Sequence, residues 1–449
     1  MLVVTALALL ACRPDADGSG KGVPVDDSAT GDTAGDTGGD TAGDTSPQAQ
    51  APTVLLPHAG FGPEQLGLVV NSDDPLSAQI AEDYAAAHGV PADHVVTLSL
   101  GTSTDLSAEA FAPAWATMNA GLPGDVQALL LTFTQPYRVG CMGAAAAFGL
   151  GFDPAYCQDG PPCRTTARSP YYGVETATPW QALGVRPTMM LSAPTREAAA
   201  AVIARGVASI GSDPGGDVYL YRTTDGARSV RYRDFERAAN RFDPVDGLVV
   251  TYVDASADAS TELLAGADGV LGYATGLTNV GSLDTLSFRP GALADHLTSF
   301  GGVLDGSTGQ MPATDWLAAG ATASYGTAIE PCNFEEKFPR ASELWPAYFR
   351  GQSAVEAYWH AVEWPGEGNF VGDPLARPFG STVTWEDGTL TIRTSQLDRN
   401  TTYRLEAADG PDGPWETALD GIEGGRDHRR QTIVLAGATR GYYRVVESM

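Results

Sequence analysis

Apolar and polar residues change rhythm twice along the chain. Leu66-Gly67-Leu68-Val69-Val70 is continuously apolar, Asn71 to Pro75 is polar, and a helical period then runs to about His88. Short unbroken apolar runs between turn residues read as strands buried on both faces, and longer periodic stretches as helices. The alternation continues with a strand at 94–98, a helix at 106–120 and a strand at 126–134. After an irregular stretch it resumes with a helix at 195–209, a strand at 218–222, a helix at 232–241 and strands at 248–253 and 269–273. Helices at 290–299 and 313–319 and a strand at 321–325 complete it. This order predicts an α/β domain over 53–380, a three-layer, mostly parallel sheet covered on both faces. From Ser381 the period falls to two, in runs such as Thr382-Val383-Thr384-Trp385 and Thr402-Tyr403-Arg404-Leu405-Glu406. Several short strands between turn clusters predict a small β-sandwich over 381–449.

Residues 135–190 are rich in Gly, Pro, Tyr and Cys and carry no clear period. A connection of that length is either functional or an insertion. The aromatic cluster Tyr348, Phe349, Tyr358, Trp359 and Trp364 reads as core rather than as a sugar platform. Gly366 to Pro374 has too few correctly spaced glycines for a dinucleotide loop, and no cofactor is expected.

The N-terminal region has a different composition. Residues 1–12 form a short apolar run ending Leu9-Leu10-Ala11-Cys12, too short to span a bilayer and similar to a bacterial lipoprotein signal, although no Lys or Arg precedes it. On that reading Cys12 is acylated, and Arg13 after it points to the outer membrane. Residues 13–52 are Gly, Asp, Thr, Ser, Ala and Pro with repeated Gly-Asp-Thr, a composition unable to bury enough surface to order itself. They read as a solvated tether, and the closing Glu of a calcium loop is missing. With 27 Lys and Arg against 55 Asp and Glu, the net charge is -28, and no basic stripe offers a footprint for nucleic acid. Expected partners are the membrane, through Cys12, and a protein or glycan. The oligomeric state is left open.

Four further cysteines, Cys141, Cys157, Cys163 and Cys332, fit two disulfides in an oxidising compartment. Cys157 and Cys163 are near enough to clip one loop, leaving Cys141 with Cys332, but three pairings are open.

One stretch, Phe288 to Gly302, holds Asp295, His296 and Ser299, the residue types of a hydrolytic triad. On the predicted helix, with Pro290 in its first turn, Asp295 and Ser299 lie four apart and His296 and Ser299 three apart. Adjacent Asp and His cannot line up behind one Ser, and a nucleophilic Ser normally sits on a sharp turn at a strand end. The stretch is therefore expected to be structural, with catalysis by Ser299, His296 and Asp295 as the alternative. Ligands of open α/β sheets bind at the carboxyl ends of strands, which makes Asn71, Asp73, Asp74, Arg138, Thr275 and Glu330 candidates for binding. Asp73, Asp74 and Glu330 together would suit a hard cation, but helix capping explains the aspartates better, and no metal is expected.

Several blocks resemble a family of exported bacterial lipoproteins: VVNSDDPLSAQIAEDYAAAHGVP, RPGALADHLTSFGG, AAGATASYGTAIEPCNFEEKFPR and EAYWHAVEWPGEGNFVGDPLARPF. They cover most of residues 66–380 and imply no particular chemistry. More distantly, the order of Gly272 to Gly276, Thr298 to Gly301 and Gly372-Asp373-Pro374 resembles the gingipain branch of caspase-like peptidases. That resemblance puts Thr275 where the family has its histidine and Ser299 in place of its cysteine. Thr cannot supply an imidazole, so the Cys–His dyad is missing. The expectation is a membrane-anchored, non-catalytic binding or scaffold protein. An envelope hydrolase around Ser299 and His296 and a carbohydrate-binding exoprotein are the alternatives.

Overall fold

The computed structural model describes residues 51–448 except 57–59, 159, 161, 243–246 and 426–429. All of these belong to the second of two units of the chain, Gln50–Met449. Cys12 and the tether up to residue 50 lie outside the described residues.

Ten strands form the central sheet: β1 Leu66–Asn71, β2 Val95–Leu98, β3 Ala128–Leu131, β4 Thr188–Met190, β5 Gly216–Arg222, β6 Leu248–Asp254, β7 Val270–Thr275, β8 Phe288–His296, β9 Ala323–Thr327 and β10 Gly368–Gly372. Their order across the sheet is β6-β5-β7-β8-β9-β10-β4-β3-β1-β2. The pairs within β1–β4 and within β5–β9 are parallel, and β9 with β10 is antiparallel. The sheet divides at that antiparallel seam into two halves, β1–β4 and β5–β9. They wind alike: in each the second strand lies outside the first, and the chain then returns past the first to place the third and fourth. The order reverses between β1 and β3 in one half and between β5 and β7 in the other, so each half has a topological switch point.

Helices used below are α1 Pro75–His88, α2 Ala108–Gly121, α3 Arg196–Ser209, α4 Tyr232–Arg241, α5 Thr314–Ala319, α6 Ala341–Phe349 and α7 Ala354–Ala361. Local chemistry sets the ends of α1. The Asp74 carboxylate accepts from the Leu76 N–H, Pro75 fills the first turn, and Gly89 closes the helix at φ 78°. Four of the five aromatic residues are core as expected: Tyr348, Phe349, Tyr358 and Trp359 are fully buried, the Trp359 indole donates to the Thr188 carbonyl, and Trp364 is half-buried. Asp373, just after β10, ties two helices to the seam. It accepts from the Tyr84 hydroxyl at 2.7 Å and from the Leu375 N–H, and His88 Nε2 lies 2.8 Å away. Gly206 of α3 is pressed against the same carboxylate, where a Cβ would stand 1.7 Å from its oxygen.

The segment predicted as a helix at 290–299 is instead strand β8. Residues 291–296 are buried without a break, as befits a strand packed on both faces, so no period of two marks it. Pro290 stands near the start of the strand, where its missing N–H is tolerated, rather than in a helical turn. Strand β10, in Gly366 to Pro374, was not expected as an element. It supplies five residue pairs of the seam.

The described residues of 382–447 form six strands in two sheets around Leu390, Ile392, Tyr403, Leu405, Ile433, Tyr443 and Val445. The strand Glu416–Glu423 is additional to those read from the sequence. Thr53–Leu55, grouped by sequence with the α/β body, pairs in parallel with Tyr442–Arg444 and so joins the C-terminal sheet.

Candidate functional site

Alternation along β8 separates the triad candidates. Successive side chains of a strand face opposite sides of the sheet, so Asp295 and His296 point apart. His296 lies beside Thr275 of β7, against Trp316 of α5. The Trp316 indole N–H donates to His296 Nδ1 at 3.0 Å, which makes that nitrogen an acceptor. Burial, reinforced by the nearby Arg231 charge, pushes the imidazole down to about 3. The ring is a neutral core group and a poor base at neutral pH.

Asp295 forms a buried ion pair with Arg231, with oxygen and nitrogen 2.6 Å apart. Burial pushes its carboxyl up, and the guanidinium opposes that. Arg231 also donates to the Thr275 and Pro339 carbonyls, fastening the end of β7. Thr275 is fully buried, and its hydroxyl has no hydrogen bond among the described residues.

Ser299 follows β8 in a turn held from below. Its carbonyl accepts from the Thr327 hydroxyl at 3.0 Å. Gln310 braces the same turn by accepting from the Thr298 hydroxyl and the Phe300 N–H. The two glycines after Phe300 allow the turn to pass over β9. A Cβ on Gly302 would meet the Gly326 carbonyl oxygen at 2.4 Å. Ser299 lines a cleft of about 230 Å3 with Arg228, Leu297, Glu330, Cys332 and Asn333. No hydrogen bond joins Ser299 to His296 among the described residues, so the structure does not assemble Asp295, His296 and Ser299.

The irregular 135–190 segment is held by a disulfide to the loop that carries Glu330 and Cys332. The disulfides are Cys141–Cys157 and Cys163–Cys332, not a Cys157–Cys163 clip. Cys163–Cys332 fastens the segment to the loop after β9. Gln158 reinforces it by donating to the Glu330 carbonyl and to Cys332 Sγ. Glu330 is occupied locally, accepting from the Cys332 N–H at 2.8 Å.

The other candidates follow strands β1 and β3 of the first half. Asn71 spends its amide on the Gly101 and Gln135 carbonyls and its oxygen on the Asp73 and Leu100 N–H groups, which makes it a keystone of the loops. Asp73 accepts from the Gly101 N–H and the Ser99 hydroxyl, and those bonds, the backbone one first, hold its carboxyl low. Asp74 caps α1, and Arg138 pairs with Asp105 at 2.9 Å. Asp73 and Asp74 follow β1 and Glu330 follows β9, and each carboxylate is occupied by local hydrogen bonds. Among the described residues no group of three His, Cys, Asp or Glu is placed to hold a metal.

Here the strand ends form a wider cleft, about 760 Å3, lined by Asp74, Thr134, Gln135, Ser192, Asp305 and Asp315 among others. The Thr134 and Ser192 hydroxyls are hydrogen-bonded to each other at 2.9 Å. Burial raises the Asp315 carboxyl. Sequence reasoning missed Thr134, Ser192, Asp305 and Asp315 because Asp305 and Asp315 come from the second half of the chain and no spacing links them to β1. It also missed Arg231, although the run Arg228-Ser229-Val230-Arg231 stands out in so acidic a chain.

No family model matches the chain, and no curated protein matches it in sequence. Among solved structures, one titled as a protease is similar over 86 % of this chain and 98 % of its own, with 9 % identity and a TM-score of 0.41. The Arg-specific cysteine proteinase gingipain R is similar over 87 % and 98 %, with 10 % identity and a TM-score of 0.39. A complex of RgpB pro- and mature domains from Porphyromonas gingivalis is similar over 85 % and 99 %, with 11 % identity and a TM-score of 0.37.

Proposed function

We propose that the protein is a lipid-anchored envelope protein that binds a ligand or partner and does not hydrolyse it, with the 760 Å3 cleft as its binding site. The observation that carries this reading is the state of His296, buried, neutral and already accepting from Trp316. A triad needs its imidazole between a carboxylate and the nucleophile, and Asp295 faces the other side of the sheet. The body cysteines are all in disulfides, which leaves no thiol there for a Cys–His mechanism. The wide cleft has the size and mixed lining of a small-molecule or peptide site, at the carboxyl ends of parallel strands.

The opposing reading, a hydrolase, is favoured by one observation: Ser299 lines a cleft beside Arg228. A fluorophosphonate probe on the full chain separates the two. The expected result is no labelling of Ser299 and equal residual background in Ser299→Ala. Stoichiometric labelling of Ser299 would overturn the binding reading.

A further inference from the structure

Away from both clefts, helices α4 and α6 pack together, with α4 also lying over edge strand β6. Between them is a cavity of about 270 Å3. Its apolar lining includes Ala238, Val250, Trp345 and Pro346, and its polar lining includes Arg241 and Arg350. Trp345 is only 3 % exposed, and its indole N–H has no acceptor among the described residues. A buried donor without an acceptor is a standing cost that a bound acceptor would remove. Arg350 is paired with Asp398 at 2.8 Å and lies near Glu175. Arg241, at the exposed end of α4, has no carboxylate within ion-pair distance among the described residues. Asp234 accepts from the Ser342 hydroxyl and N–H, and Glu343, near His360, feels the Arg241 charge without forming an ion pair with it.

We propose that this cavity binds a small organic carboxylate. Its aliphatic or aromatic body would lie between α4 and α6, and its carboxylate would accept from the Arg241 and Arg350 guanidiniums and the Trp345 indole. The apolar walls disfavour an inorganic anion, which would lose hydration without gaining contacts. Two guanidiniums favour a carboxylate over its neutral amide. A volume below the usual range of drug-sized sites restricts the ligand to a single ring or a short chain.

The test is a titration of the full chain with benzoate and hexanoate, followed by ligand-observed NMR, with benzamide as the neutral counterpart. Saturable binding is expected, about tenfold tighter for benzoate than for benzamide. Trp345→Phe keeps the ring and removes the N–H, and should weaken binding by about tenfold. Arg241→Gln should do the same, and its exposed position keeps the test valid if the Trp345 variant fails to fold. No saturable binding of either carboxylate up to about 10 mM, equal affinity for benzamide, or indifference to Arg241→Gln would each overturn the proposal. None of these outcomes depends on whether Ser299 reacts, because the two sites share no residue.

Discussion

Asp295 and His296 are neighbours in sequence and occupy unlike surroundings, one against a guanidinium and the other against an indole. The difference has a consequence in pH. Folding lowers the His296 pKa from 6.5 to about 3. Below about pH 6.5 the unfolded chain takes up a proton that the folded chain refuses. The contribution of a neutral His296 is therefore complete above that pH and is lost progressively as pH falls towards 3, up to about 5 kcal/mol. His296→Gln keeps an oxygen acceptor for the Trp316 indole and cannot titrate. Its stability, measured by urea unfolding, should fall less steeply between about pH 6 and pH 4. Burial raises the Asp295 carboxyl, which works in the opposite direction, but Asp295 is present in both proteins, so the difference between them isolates the imidazole. Identical pH profiles would mean that the ring is not held neutral.

The two disulfides act on different elements. Cys141–Cys157 closes a loop of 16 residues inside the irregular segment, whereas Cys163–Cys332 spans 169 and ties that segment to the end of β9. Longer loops lose more unfolded-state freedom when closed, so replacing Cys163 and Cys332 together with serine should cost about 3 kcal/mol or more. Hydrogen exchange should rise around residues 160–168 and 328–334 while β1 and β3 stay protected. Unchanged exchange there would show that Gln158 alone holds the segment. The sequence made some elements legible and not others. β1 and α1 were readable because an apolar run, a capping Asp and a closing Gly adjoin one another. β8 was misread because a strand buried on both faces has no period, and Pro290 fits a helix start as well as a strand start. β10 gives no strand signal of its own, since its packing against β9 is invisible from Gly368 to Gly372 alone. The disulfide pairing and the Arg231–Asp295 ion pair depend on residues brought together from distant parts of the chain, which no local spacing encodes.

For the whole molecule, a net charge of -28 disfavours attraction to phosphate backbones and anionic headgroups, so the proposed membrane attachment rests on the lipid anchor at Cys12. If Cys12 carries that anchor, Cys12→Ala should abolish labelling by radioactive palmitate and move the protein from the membrane to the soluble fraction. Palmitate incorporation surviving the substitution would place the lipid elsewhere or remove it from the account. The pairing of Thr53–Leu55 with Tyr442–Arg444 bears on how the molecule is made. These partners are separated by roughly 390 positions, so that sheet cannot be completed until nearly the whole chain has left the ribosome. The first of the described strands waits for the last, and removing either takes a strand from the same sheet.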